Sequence, residues 1–366
     1  MTMSSFWGKL QIKKHAMTAI SYLIPIVVAA GFLLAVGNIF GGKSLTTISH
    51  TVSVWDAFST MGSFGLGLLP MVVATGIAFS IADKPGIAPG IVIGMAAKGI
   101  GAGFLGGLIG GYIAGWITLA IIKFVKVPKW ANGLMPTLVI PFLASALAGL
   151  VMFYVIGAPI SSGTVWLTGY LNSLDTSSKF IYGIIIGVLA SIDYGGAINK
   201  TVFAFVLAMQ AEGINEPITA LILASMVTPL GYTAAYFIAK VFRKKIFFQV
   251  EVETLKTAFP MGLVEITEGS LPIVLNDLIR CVIATGCGGA IGGGLSMLWG
   301  ADSHIPASGL FAVPTMTRPW GFLAALIIGS LVTAIVLVMI KKPVTDDGDS
   351  DESAESDINL NDLKIS

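Results

Sequence analysis

Gly262-Leu-Val-Glu-Ile-Thr-Glu-Gly-Ser-Leu-Pro-Ile-Val-Leu-Asn-Asp-Leu-Ile-Arg280 places four charged side chains, Glu265, Glu268, Asp277 and Arg280, among apolar neighbours. The chain around this stretch is mostly hydrocarbon. Of its 366 residues, 55% are hydrophobic and 11% charged, against about 25% charged in soluble domains. Mean hydropathy is +0.87. These values exclude a soluble enzyme and predict an all-α polytopic membrane protein. A charge at bilayer depth costs roughly 2.5–3.5 kcal/mol on insertion scales, and it survives where it faces protein interior or a water-filled cavity. The stretch therefore reads as a binding site inside a membrane protein.

Charge is scarce elsewhere too. Eight of the 20 acidic residues fall between Asp346 and Asp362, in a Ser-rich tail. Residues 343–366 are expected to form an acidic, disordered cytoplasmic tail, and residues 1–342 a membrane-embedded domain. The net charge of +1 comes with no basic stripe, so nucleic acid is not an expected partner. Cys281 and Cys287 stand on different helical faces and make no metal-ligand spacing. No metal or cofactor is expected.

A span needs about 20 apolar residues. Strong candidates are Ala19–Phe40, Ser63–Ala82, Gly101–Ile122, Gly133–Gly157, Phe180–Ile192, Pro217–Ala239, Ile279–Gly300 and Trp320–Ile340. Gly86–Ala97 and Ile198–Met209 are short and interrupted, which suits re-entrant hairpin segments. The total is about ten crossings. Lysine and arginine clusters before the first span and after Ile122, Ala239 and Ile340 then share one side, the cytoplasmic side, together with both termini. Residues 5–17 read as an amphipathic interfacial helix and 243–259 as a cytoplasmic connector. Gly103, Gly107, Gly111 and Gly115 form a four-residue stripe that admits close helix approach, either within the chain or at a homodimer seam.

Several words follow one another in order. Leu23-Ile24-Pro25 and Ala30-Gly31-Phe32 come first, then Ser80-Ile81-Ala82-Asp83-Lys84-Pro85-Gly86 and Gly103-Phe104-Leu105-Gly106-Gly107. Asp193-Tyr194-Gly195-Gly196-Ala197-Ile198-Asn199-Lys200 and Ile266-Thr267-Glu268-Gly269-Ser270-Leu271-Pro272 complete the set. Together they resemble the membrane (IIC) component of fructose-type phosphoenolpyruvate-dependent sugar phosphotransferase systems, over roughly residues 5–342. The resemblance implies a homodimeric permease of the bacterial cytoplasmic membrane. It would bind fructose or a related sugar and present it to a separate phospho-IIB protein, itself supplied by IIA. It also implies a rigid movement of the sugar-binding half against a glycine-lined dimer scaffold. The chain contains no phosphoryl-carrying residue of that system.

On this resemblance Glu268 is the catalytic and sugar-binding carboxylate. It could accept hydroxyl hydrogen bonds or the proton of the attacking hydroxyl. The structural alternative pairs it with a buried base. Glu265 departs from the family, which has an apolar residue there. It either reshapes substrate choice or faces the wet edge of the motif. His304 stands at the family's Pro-His-Gly-Gly with altered flanks, and is read as sugar-binding or as a loop residue. Asn199 and Asp193 are further candidate sugar ligands, with Lys200 a possible partner for Asp193. Asp277 and Arg280, three apart, are expected to pair and hold the Glu268 hairpin in shape. A competing reading, a proton- or sodium-coupled secondary sugar transporter, would use Glu265 and Glu268 as proton carriers.

Overall fold

The computed structural model describes residues 11–47, 52–128, 130, 132–173 and 175–344. Its elements are helical throughout. They are α1 (Ile12–Ile39), α2 (Val54–Gly67), α3 (Leu69–Ala82), α4 (Ile87–Gly99), α5 (Gly103–Phe124), α6 (Ile140–Val151), α7 (Gly157–Asn172), α8 (Thr176–Ser191), α9 (Ala197–Ala211), α10 (Glu216–Val241), α11 (Gln249–Leu263), α12 (Leu271–Asn276), α13 (Leu278–Leu298) and α14 (Pro319–Ile340). Wide π turns at Met135–Val139 and Met152–Ile156 flank α6, so that Met135–Gly163 runs as one long apolar rod.

Six helices among the described residues are long and apolar enough to cross a membrane. A seventh candidate is α2 with α3, bent by 46° at Leu68. The other segments proposed from sequence are shorter: α4 has 13 residues, α8 has 16 and α9 has 15. Pro70 at the second position of α3 supplies the bend, because its ring cannot continue the preceding helix.

Helix α10 is the central post. Every residue from Pro217 to Pro229 is buried, as expected of a helix that is apolar all round. Around it, glycines set the packing distances. Gly107, Gly111 and Gly115 of α5 lie on α3, and a Cβ at Gly111 would sit 2.8 Å from the Ala74 Cα. This stripe is filled from within the chain, which settles its two readings in favour of intramolecular packing. Gly183 and Gly187 of α8 face Gly293 and Gly289 of α13, backbone against backbone. On its other side α13 turns Gly288 and Gly292 toward Gly329 of α14.

Two sequence expectations change. Residues 12–17 continue directly into α1 and form no separate interfacial helix, while 5–10 lie outside the described residues. The connector expected over 243–259 ends at Phe248. From Gln249 the chain enters the protein as α11, burying Leu255, Ala258 and Gly262, with Gly262 seated on the Pro229 ring of α10. The polar pattern of α11 misled because one of its acids, Glu251, is paired inside. Glu251, 0% exposed, accepts from Lys341 Nζ at 2.9 and 2.8 Å, from the Phe248 amide at 2.9 Å and from Asn276 Nδ2 at 3.3 Å. Lys341 also lies 4.3 Å from the centre of the Phe247 ring. Asn276 ends α12, so α11 and α12 form a hairpin that starts and finishes at Glu251, beside the last residue turn of α14. The tail, 345–366, lies outside the described residues.

Gly187→Val drives a branched side chain into the Gly289 carbonyl. It should lower unfolding free energy in detergent by about 3 kcal/mol, whereas Gly163→Ala, which meets nothing, should be neutral or slightly stabilising. Lys341→Met leaves a buried carboxylate without its cation and should cost about 3–5 kcal/mol, with most of the loss recovered in Glu251→Leu/Lys341→Met. Denaturant titration of the purified variants reads both.

Candidate functional site

The hairpin tip, 264–270, is where the charged stretch leaves the helix. α11 ends in a Schellman turn: the Ile266 amide donates to the Met261 carbonyl at 2.9 Å, and the Glu265 amide to Gly262 at 3.1 Å. Glu265 occupies the left-handed position of this turn, with φ +69°, a place usually taken by glycine. Its Oε2 accepts from the Gly309 amide at 3.4 Å. Gly309 belongs to the irregular segment between α13 and α14, and a side chain there would collide with the Leu263 carbonyl.

A third break meets the same tip. Between α8 and α9 the chain turns through Tyr194 (φ +48°) and Gly195 (φ +86°). Gly195 packs directly on Glu268: a Cβ there would lie 2.7 Å from Oε1 and 3.5 Å from Thr267 Oγ1. The turn is fixed from below by Tyr194, whose hydroxyl is 3.0 Å from both Tyr232 Oη and Thr285 Oγ1. It is fixed from above by Asp193, whose carboxylate accepts the Ile198 and Asn199 amides and caps α9.

The three breaks enclose a cavity of about 280 Å³. Glu265, Thr267, Glu268, Asn199 and Lys200 supply its polar wall; Phe32 and Phe203 supply apolar wall. Asn199 is held by its Nδ2 on the Ala190 carbonyl at 2.7 Å. The Glu268 carboxylate is exposed to the cavity and accepts no hydrogen bond from any described residue. Thus Glu268, Glu265 and Asn199 line one cavity, and Lys200, expected from sequence as a partner for Asp193, lines it too.

The other candidates fall elsewhere. Asp193 spends its oxygens on backbone amides and is a positioning residue for Asn199, with no ion pair to Lys200 among the described residues. Asp277 and Arg280 pair, with Nη1 3.0 Å from each carboxylate oxygen, at the foot of the hairpin and away from the cavity. His304 lines a different cavity, separated from the first by its own segment: Ala307 faces the first and Pro306 the second. Sequence reasoning missed Ser225 of α10 and the Ile24, Val28, Phe32 stripe of α1. The four-residue spacing of that stripe was visible, but α1 is apolar on every face.

The phosphotransferase system EIIC family matches residues 17–286. The chain belongs to that family. It is 41% identical over 338 residues to the fructose-specific EIIB'BC component of Xanthomonas campestris pv. campestris, covering 91% of this chain and 57% of the relative. It is 32% identical to the fructose-specific EIIC component of Haloferax volcanii, covering 90% and 92%. To the fructose-like permease IIC component 2 of Escherichia coli K12 it is 30% identical, covering 95% and 96%. The chain therefore spans little more than half of its EIIB'BC relative and nearly all of the two EIIC relatives. As an EIIC chain with these apolar helices it is a multi-pass membrane protein.

In this EIIC chain the left-handed Glu265 is a measurable strain, roughly 1–2 kcal/mol for a residue with a Cβ. Glu265→Gly should be about 1 kcal/mol more stable than Glu265→Ala, although both remove the same carboxylate from the cavity. Thermal unfolding of the two variants checks this: a higher melting temperature for Glu265→Gly than for Glu265→Ala is the expected result.

Proposed function

We propose that this chain is the sugar-translocating IIC component of a fructose-type phosphotransferase system, with fructose or a closely related sugar bound in the Glu268 cavity. The observation that carries this reading is the unpartnered Glu268 carboxylate beside Asn199, Lys200 and Glu265 in a chain of the EIIC family. Sugar hydroxyls both donate and accept. Two carboxylates accept from them, while Lys200 offers donors.

The chemistry follows from that placement. A sugar hydroxyl held against Glu268 attacks the phosphoryl group carried by a separate IIB protein. The new sugar oxygen–phosphorus bond forms as the bond to the IIB carrier breaks, and the hydroxyl proton passes to Glu268. Activation of the donor belongs to IIB and IIA. This chain contributes the acceptor, held in place.

The lysine-bearing ends of α5, α10 and α14 support a cytoplasmic face there, with both termini on that side in a bacterial cytoplasmic membrane. On that reading the α11–α12 hairpin is re-entrant from the cytoplasm, and the segment between α13 and α14 is re-entrant from outside. About ten crossings and a homodimer belong to the same proposal. The dimer seam would lie away from the α5 glycine stripe, which α3 already fills.

The test is uptake by intact vesicles loaded with the general phosphotransferase proteins, cognate IIA and IIB, and phosphoenolpyruvate. Labelled fructose should accumulate as its phosphate only with phosphoenolpyruvate, and Glu268→Gln should reduce the rate at least about 100-fold. Unmodified sugar that follows an imposed proton or sodium gradient would overturn the reading.

A further inference from the structure

The second cavity, about 420 Å³, lies at the ends of α5 and α10 opposite their lysines. Lys98, Gln210, Glu212 and His304 reach it over an apolar floor that includes Phe104 and Leu207. Two of the polar groups are fixed: Lys98 Nζ donates to the Gly67 carbonyl at 2.8 Å and Gln210 Nε2 to the Ser303 carbonyl at 3.0 Å. The other two are open. Neither the Glu212 carboxylate nor the His304 imidazole bonds a described residue. Gly103, at φ +53°, presses its bare backbone onto the Glu212 carboxylate, where any side chain would collide with Oε1. Burial pushes the Glu212 carboxyl above its ordinary range.

The wall between the two cavities is thin. On α9, Phe203 lines the Glu268 cavity, and Leu207, one turn on, lines the other. The rest of the wall is the segment 304–307, wedged so that a side chain at Gly31 would meet the Pro306 carbonyl. Mixed donors and acceptors above apolar surface suit a neutral polyol with hydroxyl edges and a C–H face. A cation would want Glu212 without Lys98, and an anion the reverse.

We propose that this second cavity is a sugar-binding site distinct from the Glu268 site, holding the incoming sugar on the outer side of the 304–307 wall through Glu212 and His304. The proposal rests on the permease reading above and assigns the sugar a station that precedes Glu268.

Labelled fructose bound to purified protein in nanodiscs, counted by equilibrium dialysis, tests it. Wild type should hold two sugars per chain, Glu268→Gln one, Glu212→Gln one and the double variant none. In vesicles Glu212→Gln should raise the external fructose concentration for half-maximal uptake by about tenfold with the maximal rate unchanged; His304→Gln should act in the same direction. Thermal unfolding at the wild-type temperature shows that each variant is folded. One sugar per wild-type chain, or loss of all binding in Glu268→Gln, would overturn this inference while leaving the permease reading intact. No fructose binding together with no phosphoenolpyruvate-dependent uptake would overturn the permease reading itself.

Discussion

Backbone polar groups inside a membrane must be paired by protein, and this constraint shapes the whole site. Helices meet it automatically; breaks do not. Here three breaks converge on one cavity, and each has some of its backbone groups taken up by nearby protein. Asp193 caps α9 with both carboxylate oxygens. The Schellman turn closes α11. In the third break the Ser303 amide donates to Thr219 Oγ1 at 2.6 Å, and the Ser303 hydroxyl to the Ile305 carbonyl at 2.6 Å. With the backbone satisfied in this way, Glu268 is free of structural duty and its carboxylate can be given to a ligand.

The same constraint explains what was legible in the sequence. Charges within Gly262–Arg280 stood out because so few others exist, and Glu268 and Glu265 were found by that contrast, whereas Asn199 and Lys200 were marked by the Gly-Gly break beside them. Gly195 and Gly196 marked the turn that meets Glu268. The long helices could be read from hydropathy alone. Three things could not. Glu251 and Lys341 each sit in a polar neighbourhood of the sequence, and only the fold brings them together across 90 residues. Asp193 looks the same in sequence whether it binds a sugar or caps a helix. His304 lies only a few residues from Ala307, yet an irregular segment can send neighbours to opposite sides, with no periodicity to show it. The α5 glycines announced close packing without naming a partner, and α3 proved to be that partner.

Glu265 shows how the local and functional levels disagree at such a site. Its turn calls for glycine, and a glutamate stands there at a cost of order 1–2 kcal/mol. One contact, the 3.4 Å bond from Gly309, returns part of that. The remainder is strain held at the cavity wall, where a rule of local structure is most often broken for function.

The strengths of the contacts rank the movements open to the chain. At its root the α11–α12 hairpin is tied by a buried ion pair with two further donors to Glu251, worth about 3–5 kcal/mol to break from one side. The α8 and α13 backbones are locked by glycine contact with no slack for sliding. At the tips, by contrast, hairpin and opposing segment share one long amide–carboxylate bond and the seat of Gly309 on the Leu263 carbonyl. The hydrogen-bonded tie is therefore weaker at the tips than at the roots. On this accounting the glycine faces belong to the tightly packed part of the fold, and the more weakly bonded part is small, irregular in backbone and centred on Glu265 and Gly309.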